Sequence, residues 1–392
     1  MKKFLKITGY TVFFLLIIYL IATMFVPEIV DKGHNKIRQL PPYKVSAKAQ
    51  DLYNSLDFIA DLHCDALLWK RNLLKDHDFG QVDIPKMIKA NVGLQGFTIV
   101  SKSPKGQNFD KNTGDSDNIT LLYVMQRRPV SSWTSLTKRA EVQCEDLFKF
   151  EEKSVGRFRV ILSKGDFVRY LSDKKKNKEI TAGFLGVEGA HALDGKIENI
   201  DVLYDAGVRM MSPTHFFDNK LGGSAHGVSH AGLTGFGKQV IKKMVEKHMI
   251  IDIAHSSPQI IDDIITMTDV PVISSHTGVK GTCDNVRNLS DRHLKAIAES
   301  GGLVGIAMFE KAVCGKDAAA TAQAIKYAVD LIGADHVALG SDFDGSVTTP
   351  FNVTGLPLIV EELLKLNISE SDIRKIMGEN VKTFMLKNLP ED

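Results

Sequence analysis

Histidine and carboxylate side chains follow several apolar segments of this sequence. The segment 58–62 leads directly into His63 and Asp65, which stand two positions apart. On a β-strand, side chains at positions i and i+2 point to the same face, so this imidazole and this carboxylate would project together. Such a pair suits a borderline metal ion such as zinc. Alone it is weak evidence, because any buried strand can end in a solvated histidine and aspartate.

The same arrangement recurs downstream. The sequence has eight apolar segments, and six of them are followed by histidine or carboxylate residues. The further residues are Glu188, His191, His215, His255, His276, Asp342 and Asp344. Taken singly, a carboxylate here could cap a helix, and a histidine could be a hydrogen-bonded structural residue, which is how we interpret His191. Taken together, the recurrence predicts one common site.

Three imidazoles and two carboxylates of this set exceed the ligands that one tetrahedral zinc ion needs. They are His63, Asp65, Glu188, His255 and His276. Two metal ions bridged by a carboxylate and a water would use all five, and such pairs lower the pKa of the bridging water towards neutrality. Glu188 is the predicted bridge, because it has two oxygens and comes from a strand between the other groups. Asp342 is the predicted proton-handling carboxylate.

Eight apolar segments alternate with helical patterns, which is typical of βαβ units and a parallel sheet. The segments are 58–62, 92–100, 180–187, 208–212, 249–254, 270–274, 303–308 and 336–340. Eight such units predict a (β/α)8 TIM barrel, whose chemistry collects at the carboxyl ends of the strands. A doubly wound sheet is the alternative, but no Gly-x-Gly-x-x-Gly phosphate loop follows a strand. The long segment 101–178 is predicted to hold helices of its own and a minor strand at 158–162.

The first 26 residues differ in composition from the rest of the chain. Three lysines precede the uncharged run 7–26, and about twenty residues at 1.5 Å each match a hydrocarbon core of about 30 Å. Residues 1–26 are therefore predicted to be an uncleaved membrane anchor. A cleaved signal peptide has the same layout, but no Ala-x-Ala site follows. Residues 27–48, with Pro41 and Pro42, are the predicted linker, and residues 49–392 the predicted barrel domain.

The composition narrows the class of protein. Hydrophobic residues make up 44% and charged residues 24% of the 392 residues, which are ordinary globular values. A net charge of +2 gives no reason to expect a nucleic-acid partner. The four cysteines are far apart in sequence, so they form neither a zinc knuckle nor a disulfide-dense scaffold. One or two disulfides could form among them.

From about residue 52 to residue 386, the chain resembles the membrane (renal-type) dipeptidases, a zinc-dependent family within the amidohydrolase-like barrels. The motifs that carry the resemblance, in the family's order, are Asp61-Leu-His-Cys-Asp65, Gly186-Val-Glu-Gly189, Thr214-His-Phe-Phe-Asp-Asn219, Asp252-Ile-Ala-His-Ser256, Ser275-His276, Arg287-Asn-Leu-Ser-Asp291 and Ser341-Asp-Phe-Asp-Gly345. Cys64 replaces an asparagine that is often found between the first two ligands. Its side chain should point away from theirs, which leaves metal binding unaffected.

The resemblance implies two Zn²⁺ per chain and a role for each motif residue. One zinc would bind His63, Asp65 and Glu188. The other would bind Glu188, His255 and His276.

The resemblance also implies the roles around the substrate. His215 would contact the scissile carbonyl and stabilise the oxyanion. Arg287 would pair with the substrate's C-terminal carboxylate, which would explain selectivity for dipeptides. Asp342 would take a proton from the bridging water and deliver it to the leaving amine.

These observations predict a membrane-anchored metallopeptidase whose catalytic domain is exported to the periplasm or the extracellular space. It would be secreted if the N-terminal segment is cleaved. The family tolerates D-residues at the substrate's C-terminal side, so L,D-dipeptides are candidate substrates, and family members are often homodimers. A related binuclear amidohydrolase acting on a lactam or N-acyl amino acid is the first alternative. A non-catalytic, membrane-tethered binding barrel is the second, and the presence of every expected ligand disfavours it.

Overall fold

The apolar segments form parallel strands that are buried on both faces, as their near-continuous hydrophobicity requires. The computed structural model describes residues 2–392. Its strands are β1 Ile59–Cys64, β2 Val92–Val100, β3 Phe158–Val160, β4 Thr181–Glu188, β5 Val208–Met211, β6 Ile250–Asp252, β7 Val272–Thr277, β8 Leu303–Ile306 and β9 Val337–Leu339. They form one sheet in the order β2-β1-β9-β8-β7-β6-β5-β4-β3, and a further pairing of β2 with β4 closes it.

The short strand β3 is an addition to an eight-stranded barrel. It pairs with the first residues of β4, Thr181 to Gly183, while β5 pairs with the later part of β4 from Leu185 onward. The eight other strands therefore form the closed ring. The predicted (β/α)8 barrel is confirmed, and the extra strand lies where the sequence predicts it.

Helices pack around the barrel, except for α1, most of which is exposed. They are α1 Lys2–His34, α2 Ala47–Asn54, α3 Ile84–Lys89, α4 Ile119–Met125, α5 Ser131–Thr134, α6 Leu136–Lys153, α7 Lys164–Lys176, α8 Asn199–Asp205, α9 Gly235–Glu246, α10 Pro258–Met267, α11 Asp291–Glu299, α12 Glu310–Val313, α13 Ala318–Ile332, α14 Pro357–Lys365, α15 Glu370–Arg374 and α16 Asn380–Asn388. Local capping chemistry sets many of their starts. Ser257, for example, accepts a hydrogen bond from the backbone N–H of Ile260, and Pro258 takes the first position of α10. The long segment 101–178 holds α4 to α7, as expected.

Apolar side chains close the amino-terminal end of the barrel. Leu62, Phe184 and Met210 belong to a buried cluster that also includes Val381 and Phe384 of α16. Because this end is filled with apolar groups, polar side chains gather at the carboxyl ends of the strands.

The apolar helix α1 continues eight residues beyond the predicted anchor, which was expected to end at residue 26. Between Tyr10 and His34 it is long and apolar enough to cross a membrane, and Phe13 and Phe14 are exposed. Met1, the first residue of the predicted anchor, lies outside the described residues. After α1 the chain pairs with the barrel, since the backbone N–H of Arg38 donates to the carbonyl of Thr349 at 2.9 Å.

One disulfide joins two loops at the carboxyl end of the barrel. Cys283, in the loop after β7, is bonded to Cys314, which follows α12. Cys64 and Cys144 are free thiols, and both are buried. The sequence alone left these pairings open. The bond fastens the loop that also carries Arg287.

Candidate metal centre and active site

The eight residues singled out in the sequence lie in one buried cluster at the carboxyl ends of the strands. They are His63, Asp65, Glu188, His215, His255, His276, Arg287 and Asp342. None is more than 7% exposed. Each has a polar contact of at most 3.8 Å with another member of the group.

Glu188, at the end of β4, is the centre of this cluster. Its Oε1 lies 2.9 Å from Nε2 of His255 and 3.2 Å from Nε2 of His276. The same oxygen is 3.7 Å from Nε2 of His63. Its Oε2 is 3.1 Å from Nε2 of His215. One carboxylate thus lies within reach of four imidazoles that come from four different strands or the loops after them.

The β1 side of the cluster combines one imidazole with two carboxylates. Nε2 of His63 lies 3.5 Å from Oδ1 of Asp65 and 3.8 Å from Oδ1 of Asp342. The hydroxyl of Thr98, on β2, donates to Oδ1 of Asp65 at 2.6 Å and so fixes that carboxylate. No sequence motif indicates a role for Thr98, because nothing in the sequence predicts that β2 contacts the loop after β1.

The donor atoms fall into three overlapping groups that could each hold a metal ion, with the atoms of each group within 4.8 Å of one another. The groups are His63, Asp65 and Glu188; Glu188, His215 and His255; and His63, Asp252 and His276. Nε2 of His63 and Oε2 of Glu188 are buried and have no hydrogen-bond partner among the described residues. Such orphaned acceptors are costly unless something binds them. The donor set therefore fits a binuclear metal site.

The electrostatics of the cluster also favour a bound cation. Burial, followed by the nearby Asp65 carboxylate, raises the pKa of Glu188 well above its usual value. Burial lowers the pKa values of His255 and His276 well below the ordinary value, which keeps both imidazoles neutral. Neutral imidazoles are the form that binds metals, and a cation would stabilise the ionised, buried carboxylates.

Asp252 and Ser275 orient two of the imidazoles. The hydroxyl of Ser275 donates to Oδ2 of Asp252 at 2.6 Å. The lone pairs of the Ser275 oxygen are then free to accept hydrogen bonds from Nδ1 of His63 at 3.0 Å and from Nδ1 of His276 at 2.9 Å. With a proton on each Nδ1, both rings present an unprotonated Nε2 to the site. One hydroxyl thus sets the tautomer of two candidate ligands.

We expect Ser275→Ala to weaken metal binding at both positions together, by about 10–100-fold, which is typical for loss of a group that orients ligands. The affinity of the purified chain for Zn²⁺ would be measured by competition with a chelator. Ser274→Ala is the matched control, because the Ser274 hydroxyl is buried and has no hydrogen-bond partner among the residues that the structure describes. Unchanged affinity in Ser275→Ala, or an equal loss in the control, would contradict this role.

Arg287 reaches the cluster from the loop after β7. Its Nη2 donates to the carbonyl of His276 at 2.7 Å and lies 3.4 Å from Nε2 of His255. Its Nη1 is buried without a hydrogen-bond partner among the described residues. A buried guanidinium with a free donor can bind an anion.

His191 follows Glu188 on the same loop but has no polar contact with the cluster. Its ring centroid lies 4.9 Å from that of Phe217. Burial lowers the pKa of His191 to about 3, so the ring is neutral. Its place outside the cluster agrees with the prediction of a structural residue. The predicted hydrogen bond is absent, because both ring nitrogens are buried without a partner among the described residues.

Comparisons with known proteins agree with this geometry. The family model described as membrane dipeptidase (peptidase family M19) matches residues 46–387. An uncharacterized Klebsiella pneumoniae protein from the pqqA 5' region is 32% identical over 243 residues, 58% of this chain and 88% of that protein. Dipeptidase aclJ of Aspergillus oryzae is 26% identical over 345 residues, 82% of this chain and 76% of that protein.

The fold recurs in a solved structure. It is that of a metallopeptidase from Rhodobacter sphaeroides, liganded with a phosphinate mimic of the dipeptide L-Ala-D-Ala. The two chains superpose with a TM-score of 0.68 at 22% sequence identity, and the match covers 84% of this chain and 99% of the Rhodobacter chain. The family match spans the barrel and every residue of the cluster. The chain therefore belongs to the membrane dipeptidase family, peptidase family M19.

Proposed function

We propose that this chain hydrolyses dipeptides with two Zn²⁺ ions held at the carboxyl end of its barrel. The observation that carries the proposal is the position of Glu188 among four imidazoles, with the partner-free Nη1 of Arg287 bordering the same cluster of described residues. The name of the Aspergillus relative and the dipeptide mimic bound to the Rhodobacter protein support this substrate class.

His63, Asp65 and Glu188 would hold one zinc, and Glu188, His255 and His276 the other. When bound, two such ions polarise the scissile carbonyl and make water acidic enough to react near neutral pH. Asp252 is left out of this set because both its oxygens already accept hydrogen bonds from Ser275, through its backbone N–H and its hydroxyl.

His215 and Asp342 would act on the substrate. His215 would donate a hydrogen bond to the carbonyl oxygen as negative charge develops there. Asp342 would accept a proton from the attacking water and return it to the amine that leaves. Burial, together with the nearby Asp65 carboxylate, raises the pKa of Asp342 well above its usual value. A carboxylate with a raised pKa can both take and return a proton near neutral pH.

Arg287 would bind the C-terminal carboxylate of the dipeptide. We expect Arg287→Lys to raise KM about 10–100-fold with a smaller change in kcat, because the lysine ammonium cannot replace the bidentate pairing of the guanidinium. The measurement compares free dipeptides with their C-terminal amides, and the variant should lose the preference for the free acid. Arg292→Lys is the control, since Arg292 is exposed and pairs with Asp262. An unchanged preference for the free acid would exclude Arg287 from this role.

The function itself is tested by assaying the full-length chain, purified in detergent, for bound metal and for cleavage of a panel of L,L- and L,D-dipeptides. Two zinc ions per chain and cleavage would support the proposal. Two metals without dipeptide cleavage would indicate a lactam or N-acyl amino acid substrate. Absence of metal binding even after zinc is added would leave a tethered binding protein.

We infer that α1 anchors the protein in a membrane and that the barrel is exported. The disulfide between Cys283 and Cys314 supports an oxidising compartment such as the periplasm or cell exterior. The length and exposed apolar surface of α1 support an anchor. The homodimer that the resemblance implies stays a prediction.

A further inference from the structure

The last turns of α1 contact the loop after β9, which carries Asp342. Asp31 is buried, and its two carboxylate oxygens lie 3.0 and 2.9 Å from Nη1 of Arg71. Nη2 of the same guanidinium donates to the carboxylate of Asp344. Arg71 therefore links the end of the apolar helix to a residue two positions beyond Asp342.

Asn35 and His34 make a second link to this loop. Oδ1 of Asn35 accepts from the backbone N–H of Ser346 at 2.9 Å, and its Nδ2 donates to Asp31 at 2.8 Å. Nδ1 of His34 lies 2.6 Å from the hydroxyl of Ser346. The polar side chains at the end of α1 and the loop thus form one hydrogen-bonded unit.

The loop needs restraint because its backbone is strained at three alternate residues. Asp342, Asp344 and Ser346 have φ angles of 62°, 60° and 61°, in the left-handed region that residues other than glycine rarely adopt. Such conformations persist only where the surroundings hold them. The backbone N–H of Gly345 also donates to the carbonyl of Asp342 at 3.1 Å, so movement at Ser346 is transmitted to Asp342.

We propose that residues 31–35, the last turn of α1 and the residue after it, position Asp342 for proton transfer. This inference rests on the proposed role of Asp342 in the reaction. The apolar helix would then hold the loop that carries Asp342 in addition to anchoring the protein. The loop is also held at Asp344, whose carboxylate accepts from the backbone N–H groups of Gln81 and Val82. Removal of residues 1–35 would leave these bonds in place and would remove the restraint at Ser346.

The test uses the full-length chain in detergent and the variant Asn35→Ala. This change removes the acceptor for Ser346 without leaving a charge unpaired. We expect kcat to fall about 10–100-fold, the cost of a small displacement of a reacting group. KM should stay within about twofold and both metal ions should stay bound, because Asn35 touches neither substrate nor ligands. Glu28→Gln is the control, since Glu28 lies on the same helix, is exposed and pairs with Lys32.

A second comparison separates positioning from a general effect on the fold. In an Asp342→Asn background, adding Asn35→Ala should cost no further activity, because both changes act through the same group. An unchanged kcat in Asn35→Ala, loss of metal, or an equal loss in both backgrounds overturns the inference. If Asn35→Ala does not fold, His34→Ala is measured in the same way, with a smaller fall in kcat expected. Failure of the proposed function has its own signature, since the parent chain itself then cleaves no dipeptide. An unchanged kcat in Asp342→Asn, with an active parent chain, would instead exclude Asp342 from proton transfer. Either result overturns this inference.

Discussion

Replacing Glu188 with glutamine is expected to remove both metal ions and to lower dipeptide hydrolysis by at least about a thousandfold. The loss should exceed the 10–100-fold that removal of an orienting group costs, because Glu188 would be a ligand to both ions. Glutamine keeps the volume of the side chain but offers one neutral oxygen. Metal content per chain and kcat/KM for a dipeptide would be measured on the same preparation.

Thermal unfolding tests the role of Glu188 as a metal ligand independently of the activity assay. Without metal, Glu188→Gln should be at least as stable as the parent chain, because burial disfavours the ionised carboxylate, whose pKa is raised. Added zinc should raise the unfolding temperature of the parent chain but not that of the variant. Glu198→Gln, the same change at an exposed position, is the control. Retention of two metals by Glu188→Gln would show that Glu188 is not the shared ligand.

The fold could be predicted because its signals are local. Each buried parallel strand is an apolar run in the sequence, and six of the eight runs are followed by histidine or carboxylate residues. The barrel then gathers these ends at one face. This is why seven dispersed residues, among them His63 and Asp342, could be singled out before their distances were known. Arg287 lies within a loop, and only the family resemblance indicated its role.

The supporting contacts could not be predicted, because they depend on register between strands. Asp252 and Ser275 meet because β6 and β7 pair with Asp252 opposite Ile273. Neither the apolar pattern nor residue spacing specifies that register. The motifs contained both residues, but only the sheet shows that one hydroxyl serves two imidazoles.

The end of the N-terminal helix illustrates a different limit. Its polar residues, followed by two prolines, have the composition of a free linker. In the structure Asp31 and Asn35 are buried, and Asn35 bonds to a residue 311 positions away. Composition reports how polar a segment is, but it cannot tell solvation by water from hydrogen bonding to a distant loop.

Asp342→Asn is expected to lower kcat by about 10²–10⁴-fold, the usual contribution of a general acid–base group, while KM changes little. Asparagine tolerates the left-handed backbone at this position, so the loop should keep its shape. Both metal ions should stay bound, because Asp342 is proposed to carry a proton and not to bind metal. Asp335→Asn, at an exposed site, is the control and should behave like the parent chain.

The metal content of this variant decides between two roles for Asp342. Its Oδ1 lies 3.8 Å from Nε2 of His63, near enough for both groups to approach one ion. If Asp342 were a ligand, the asparagine variant would lose metal along with activity, and added zinc would restore part of the rate. If it carries the proton, the variant stays fully loaded and added zinc restores nothing. The second result is expected, since His63, Asp65 and Glu188 would already supply three ligands on that side of the cluster.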